Sequence, residues 1–268
     1  VAHDAVRDMM YEIRGYGLSY EGHYLEAGRK AAESAKAGFA EAAALARKYP
    51  QLTVLRAETE KGLAGLEEYI RLIDESQGKV DELAALQARG AGAERIYFDN
   101  AGKFVQSQEA EMKKDISGYA ENGRLEERLQ KITLSNSLID MGNYVVEANY
   151  KGLSQRNPAV LEEGINRFGE ILATVEKLRP TVRQKANIDQ LGAVQKSAAE
   201  YQAVMTEILA AWKGLNEVNA RRTEAGRRVL AITKKVLDAG AENARHIADS
   251  SVDHLGSTIL MIIGSTVF

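Results

Sequence analysis

The segments ARKYP (residues 46–50) and KLRP (residues 177–180) decide the fold, because each ends one helix and starts the turn into the next. In both, basic side chains precede a proline, a composition typical of a helix C-terminus, and an apolar-periodic run follows. Further breaks are indicated at Glu21-Gly22 and at RNP (residues 156–158). The chain is therefore predicted to be a succession of helices joined by tight turns.

The composition favours helices throughout. The 268-residue chain has 3 prolines, no cysteine and 6% aromatic residues, and strong helix formers dominate it. We therefore expect an all-α fold. A net charge of −3 creates no field that attracts a polyanion, so no nucleic-acid partner is expected. Without cysteine, disulfides, thiolate nucleophiles and Cys-ligated metals are excluded.

Six helices are predicted, of which two are long. Their expected ranges are 3–20, 23–47, 51–117, 124–155, 159–178 and 181 into the terminal apolar run. A helix rises 1.5 Å per residue, so each long helix would reach on the order of 100 Å, more than one bundle uses. We therefore expect two stacked four-helix bundles that share both long helices.

The predicted bundles differ in their distance from the chain ends. The proximal bundle is expected to contain residues 3–20, 85–117, 124–155 and 215–254, and the distal bundle residues 23–84 and 159–214. Similar segments recur in the two halves at offsets of 130 to 136 residues, including Pro50 and Pro180. This recurrence indicates a duplicated helical unit.

Residues 255–268, LGSTILMIIGSTVF, carry no charge. A membrane-spanning helix needs roughly 20 apolar residues, and Gly, Ser and Thr among Ile and Leu suit helix packing in lipid. We interpret the run as the start of a transmembrane helix; a C-terminal helix packed into a core is the alternative. Val1 in place of Met indicates a processed product or a fragment.

The fourth predicted helix carries a heptad row with alternating steps of four and three residues. Its members are Leu125, Leu129, Ile132, Asn136, Ile139, Asn143, Val146, Tyr150 and Leu153. The row predicts a buried seam in which Asn136 and Asn143 need partners, since an unpaired buried amide costs about 1 to 3 kcal/mol. These asparagines either set helix register, or hold an ordered water, or contact a ligand.

The last helix places Arg222 in a heptad series with Ile208, Leu215, Val229 and Val236. This spacing predicts an inward guanidinium, which requires an anionic partner, either Glu94 or a ligand carboxylate. Arg14 likewise needs an anionic partner, from the protein or from a ligand, unless its side chain lies on the surface. Tyr11 and Tyr16 flank Arg14 and either line a pocket or belong to the core.

A set of scattered features carries a resemblance to a known family over nearly the whole chain. They are DMGN (140–143), Asn157-Pro158, LRP (178–180), the segment 187–191, Tyr201, Trp212 and AGRRVL (225–230). The chain resembles the helical bimodular sensor domain of methyl-accepting chemotaxis proteins and some sensor kinases.

This resemblance implies a periplasmic domain between two transmembrane helices, in the inner membrane, with a small-molecule ligand that is often an organic acid. Carboxylate-binding members use arginines from the first and fourth helices. Here the first helix offers Arg14 and the fourth only Asn143, so fewer cations are present than a dicarboxylate would use.

The expected function is therefore a ligand sensor without catalysis. The histidines, His3, His23, His246 and His254, are scattered, so neither a metal nor another cofactor is expected. Candidate ligand-binding residues are Tyr11, Arg14, Asn136, Asn143 and Arg222, and a homodimer anchored in a membrane by flanking helices is the expected assembly. A structural helical spacer and a membrane-active helical protein are the alternatives.

Overall fold

A computed structural model describes the backbone of residues 2–266 and their side chains, except those of residue 256 and residues 259–266. The described chain is all-helical, which confirms the predicted fold class. Its helices are α1 (Ala2–Ser19), α2 (Gly22–Lys48), α3 (Thr53–Ser117), α4 (Asn122–Ser154), α5 (Pro158–Leu178) and α6 (Lys185–Thr266), with a 3-10 turn at Arg179–Thr181.

The predicted breaks between helices are confirmed. Asn157 caps α5, because its side-chain oxygen accepts a hydrogen bond of 3.1 Å from the Ala159 backbone N–H and Pro158 occupies the first helical turn. Around Pro180, α5 ends at Leu178 and α6 begins at Lys185. Two helices are long, with 65 residues in α3 and 82 in α6.

The helices form two compact units. Unit A comprises Val1–Gly78 and Leu215–Phe268, and unit B comprises Lys79–Gly214. Unit A contains α1, α2, the first part of α3 and the last part of α6, and unit B contains the remaining parts of α3 and α6 with α4 and α5. Each unit is thus built from four helical segments.

This grouping differs from the expected one, which assigned α1 and α4 to the same bundle. The α1 helix folds back on α2, so that a Cβ added at Gly15 would lie 2.7 Å from the Tyr24 ring. In unit B, α4 folds back on α5 in the same way, and a Cβ added at Gly152 would lie 2.5 Å from Leu161. Each pair is therefore an antiparallel hairpin rather than one interrupted helix.

Left-handed residues cause the chain to reverse at both hairpins. Tyr20 follows α1 with a φ of 61°, and Arg156 follows α4 with a φ of 54°. After α4, the backbone N–H groups of Asn157 and Arg156 donate to the carbonyls of Gly152 and Leu153, the pattern of a Schellman motif. Such a motif ends the helix and redirects the chain, which explains why a helix break became a full reversal.

The buried face of α4 lies one residue from the predicted one. The buried residues are Lys131, Ser135, Leu138, Gly142, Val145, Ala148 and Gly152. Asn136 and Asn143 are both exposed, so the prediction that they point into the core is wrong. Small side chains allow the neighbouring helices to approach on the observed face, since a Cβ added at Gly142 would lie 2.5 Å from the Tyr97 ring.

The terminal apolar segment, predicted to begin a transmembrane helix, is helical through Thr266. The side chains of residue 256 and residues 259–268 lie outside the described residues, so most of that segment does too. Within the part of the chain that is described, no helix combines the length and apolar character that crossing a membrane requires.

Candidate functional site: an arginine-lined pocket in unit A

A pocket of 520 Å³ opens among α1, α3 and α6 in unit A. Its volume falls in the range typical of small-molecule sites. It is lined by Met10, Arg14, Gly17, Leu18, Tyr69, Asn219, Arg222, Thr223 and Arg227. Three of these residues are arginines and none is acidic, so the pocket is suited to an anion.

Arg222 is the buried arginine of the pocket. Only 6% of the residue is exposed, as its heptad spacing predicted. Its Nη1 donates a hydrogen bond of 2.8 Å to Ser76 Oγ, and the Ser76 hydroxyl donates in turn to the Leu72 carbonyl. No carboxylate lies within ion-pair distance of Arg222 among the described residues.

Burial disfavours the charged form of this guanidinium. Desolvation lowers the pKa of Arg222, and the nearby Tyr69 and Tyr16 hydroxyl groups partly offset that effect. Burial likewise raises the pKa of Tyr69 to about 12, although Arg222 opposes the shift. Tyr69 therefore stays neutral near pH 7 and supplies no negative charge to pair with Arg222.

Two glycines leave room for the side chains of Arg222 and Tyr69. A Cβ added at Gly17 would lie 3.2 Å from Arg222 Nη2, and one at Gly226 would lie 2.8 Å from the Tyr69 ring. Larger residues at these positions would press on the guanidinium and on the pocket wall. The pocket thus depends on close helix packing around Arg222 as well as on the residues that line it.

Asn219 adds an unpaired polar atom to the same wall. It lies one turn before Arg222 on α6, and its Oδ1 is buried without a hydrogen-bond donor among the described residues. A buried acceptor of this kind favours an occupant that can donate a hydrogen bond. The pocket therefore combines positive charge with a neutral acceptor.

Of the predicted ligand residues, Arg14 and Arg222 line this pocket together. Tyr11 is 72% exposed and does not line it, while Asn136 and Asn143 lie on α4 in unit B. Tyr11 points away because the buried side of α1 is formed by Val6, Met9, Ile13 and Tyr16. The pocket therefore gathers two of the five predicted residues.

The alternative that Glu94 neutralises Arg222 is not what the structure shows. Glu94 belongs to unit B, where the Tyr201 hydroxyl hydrogen-bonds to it. Desolvation is the larger influence and raises the pKa of Glu94. Ser76, not a carboxylate, is the partner of Arg222.

Sequence reasoning missed Tyr69, Asn219 and Ser76. A signal for Asn219 was present, because residues three apart on a helix share a face and Asn219 precedes the inward Arg222 by that spacing. Tyr69 and Ser76 come from α3, 146 or more residues away in sequence, so only the helix pairing reveals them.

Comparisons with protein-family models, with curated proteins and with solved structures give no match to this chain. The described residues also contain no group of three or more His, Cys, Asp or Glu side chains arranged to hold a metal ion. The all-α bundle and the arginine-lined pocket are therefore the features from which a function must be argued.

Proposed function

We propose that the chain is the sensor domain of a bacterial transmembrane receptor and that unit A binds a small organic anion in the arginine-lined pocket. One observation carries the proposal: Arg222 is buried at a pocket lined by three arginines and no acidic residue. The resemblance to helical bimodular sensor domains supplies the receptor class.

A carboxylate ligand would offset the desolvation cost of burying Arg222. A buried guanidinium has lost hydration and gains little from a serine hydroxyl, whereas a carboxylate offers charge-assisted and often bidentate hydrogen bonds. Arg14 and Arg227 are exposed and contribute attraction at the mouth of the pocket. Asn219 Oδ1 favours an acid that also carries a hydroxyl or an amine.

The position of Arg222 on α6 suggests how binding becomes a signal. The same helix continues to Thr266, into the segment whose sequence resembles the start of a transmembrane helix. A ligand that draws Arg222 toward α1 would displace α6 by a fraction of a turn, a movement common in receptors. In this proposal the domain faces the periplasm, acts as a homodimer in the inner membrane and catalyses no reaction.

The experiment is isothermal titration calorimetry of the 268-residue chain, in a chloride buffer, with sodium acetate, lactate, succinate, citrate and benzoate. We expect saturable binding of at least one of these acids, and a loss of about tenfold or more in affinity on Arg222→Met, because one desolvated charge pair is removed.

Arg221→Met is the matched control. Arg221 is the preceding residue on α6, is exposed, and pairs with Glu75 at 3.2 Å outside the pocket lining. Binding should survive this change. If Arg221→Met and Arg222→Met weaken binding equally, or if no acid of the panel binds, the proposed site is wrong.

A further inference from the structure

One wall of the arginine-lined pocket places three polar side chains side by side on α6. Asn219, Arg222 and Thr223 all line the pocket. Residues three or four apart on a helix share a face, with their Cβ atoms about 5 to 6 Å apart. A single small ligand can therefore contact all three side chains at once.

The two neighbours of Arg222 on this wall offer neutral hydrogen-bond acceptors. Thr223 Oγ1 donates a hydrogen bond of 2.8 Å to the Asn219 carbonyl, so its proton is engaged and its oxygen can accept. Thr223 is exposed, so an occupant of the pocket reaches that oxygen. Asn219 Oδ1 is buried and accepts no hydrogen bond from a described residue. The terminal torsion of an asparagine is broad, so a modest rotation turns this oxygen toward an occupant.

We propose that the pocket selects 2-hydroxy acids, whose carboxylate binds Arg222 and whose hydroxyl donates to Asn219 or Thr223. This inference rests on the proposed anion site and specifies its ligand class. In a 2-hydroxy acid the hydroxyl and the carboxylate are on adjacent carbons, so the two groups match a charged donor flanked by neutral acceptors. An acid without the hydroxyl would cover those acceptors and leave them unpaired, which opposes its binding.

The charge of the pocket excludes amino acids, which carry an ammonium group where a 2-hydroxy acid carries its hydroxyl. An ammonium ion beside a buried guanidinium is repelled unless a carboxylate lies close to it. Among the described residues, none of those that line the pocket is acidic. Glu224 is exposed, pairs with Arg227 at 3.9 Å and is not part of the lining. A neutral hydroxyl avoids the repulsion and still supplies a donor.

Calorimetric titration of the 268-residue chain with acids that differ only at the second carbon tests this selection. One set is lactate, propionate and alanine, and the other is malate, succinate and aspartate, with both enantiomers of each chiral acid. In at least one set, the better-bound enantiomer of the hydroxy acid should bind about fivefold or more tightly than the acid without the hydroxyl. The amino acid of that set should bind more weakly than both.

The outcomes separate the ligand class from the anion site itself. If carboxylic acids bind but neither hydroxy acid binds more tightly than its counterpart without the hydroxyl, the selection is wrong and the anion site stands. An amino acid that binds more tightly than the hydroxy acid of its set also overturns the selection. If no carboxylic acid binds at all, the anion site is wrong and the selection fails with it.

A double variant, Asn219→Leu with Thr223→Val, removes both acceptors while nearly conserving side-chain volume. It should bind the hydroxy acid no more tightly than the acid without the hydroxyl, whose own affinity should not change. Asn216→Leu with Thr206→Val is the matched control, because both residues are exposed on α6, neither lines the pocket, and the Thr206 hydroxyl also bonds to a carbonyl of its own helix. A preference for the hydroxy acid that survives the first pair of changes, or that the control abolishes equally, contradicts the assigned acceptors.

Discussion

Arg222 Nη1 lies 2.8 Å from Ser76 Oγ, and this contact joins α6 to α3 within unit A, beside the arginine-lined pocket. A neutral hydroxyl compensates a buried guanidinium less than a carboxylate does. The guanidinium of Arg222 is thus buried beside the pocket with a neutral hydroxyl, and not a carboxylate, as its hydrogen-bond acceptor.

Arg222→Met should therefore leave the free energy of unfolding unchanged or raise it by about 1 kcal/mol, because replacing a buried charge with an apolar side chain of similar length is often stabilising. Urea denaturation followed by far-UV circular dichroism, in buffer free of organic acids, measures this. Arg221→Met should change stability by less than about 0.5 kcal/mol, since an exposed ion pair contributes little. A loss of more than about 2 kcal/mol on Arg222→Met would assign Arg222 a structural role instead.

Glycine packing in unit B gives a second prediction. Gly142→Ala should lower the free energy of unfolding by about 1 to 3 kcal/mol, because the added Cβ would lie 2.5 Å from Tyr97 Cε1 and overpack the core. Gly92→Ala is the control, since Gly92 lies within α3 with no atom within 4 Å of the added Cβ. It should stabilise the chain by about 0.5 to 1 kcal/mol through helix propensity. Thermal denaturation of both variants compares them, and equal effects would refute the observed face of α4.

These glycines also explain what the sequence could and could not reveal about α4. Hydrophobic periodicity finds large apolar side chains, so it selected the row through Ile132 and Ile139. The bundle instead packs through Ser135, Gly142 and Ala148, whose small size lets helices approach but adds little to a hydropathy pattern. The heptad row remains a regularity of the sequence, but the exposed positions show that it does not form the core of unit B.

The turns, too, were predictable only in part from the sequence. Proline, glycine and basic residues located the helix ends to within a few residues. The direction of the chain after α1 and α4 depended on left-handed conformations at Tyr20 and Arg156, which neither side chain favours. In unit A, Arg222 was predicted to be buried from its own helix, whereas Ser76 and Tyr69 became its neighbours only through the pairing of α3 with α6.

The raised pKa of Glu94 predicts a pH dependence of stability. Desolvation makes the folded chain hold this proton more tightly than the unfolded chain does, so the contribution of Glu94 to stability falls as pH rises. The fall begins near the ordinary value of 4.5 and is complete above the raised pKa of the folded state. Glu94→Gln should therefore stabilise the chain more at pH 7 than at pH 4. Urea denaturation at both values measures the difference, and an equal effect at both would contradict it.

Tyr119 offers a prediction at the turn from α3 to α4. Its φ is 54°, its side chain is 95% exposed, and it occupies the left-handed position of a Schellman motif. The backbone N–H groups of Ala120 and Tyr119 donate to the carbonyls of Asp115 and Ile116, at 2.9 and 3.1 Å. A residue with a Cβ pays about 1 to 2 kcal/mol for this conformation, whereas glycine adopts it freely but loses more entropy on folding.

Tyr119→Gly should therefore raise the free energy of unfolding by about 0.5 to 1 kcal/mol, the balance of those two effects. Tyr119→Ala is the control, because alanine keeps the Cβ and should change stability by less than about 0.5 kcal/mol. Urea denaturation of the two variants separates relief of backbone strain from loss of the tyrosine ring. If Tyr119→Ala stabilises the chain as much as Tyr119→Gly does, the backbone conformation is not the cause.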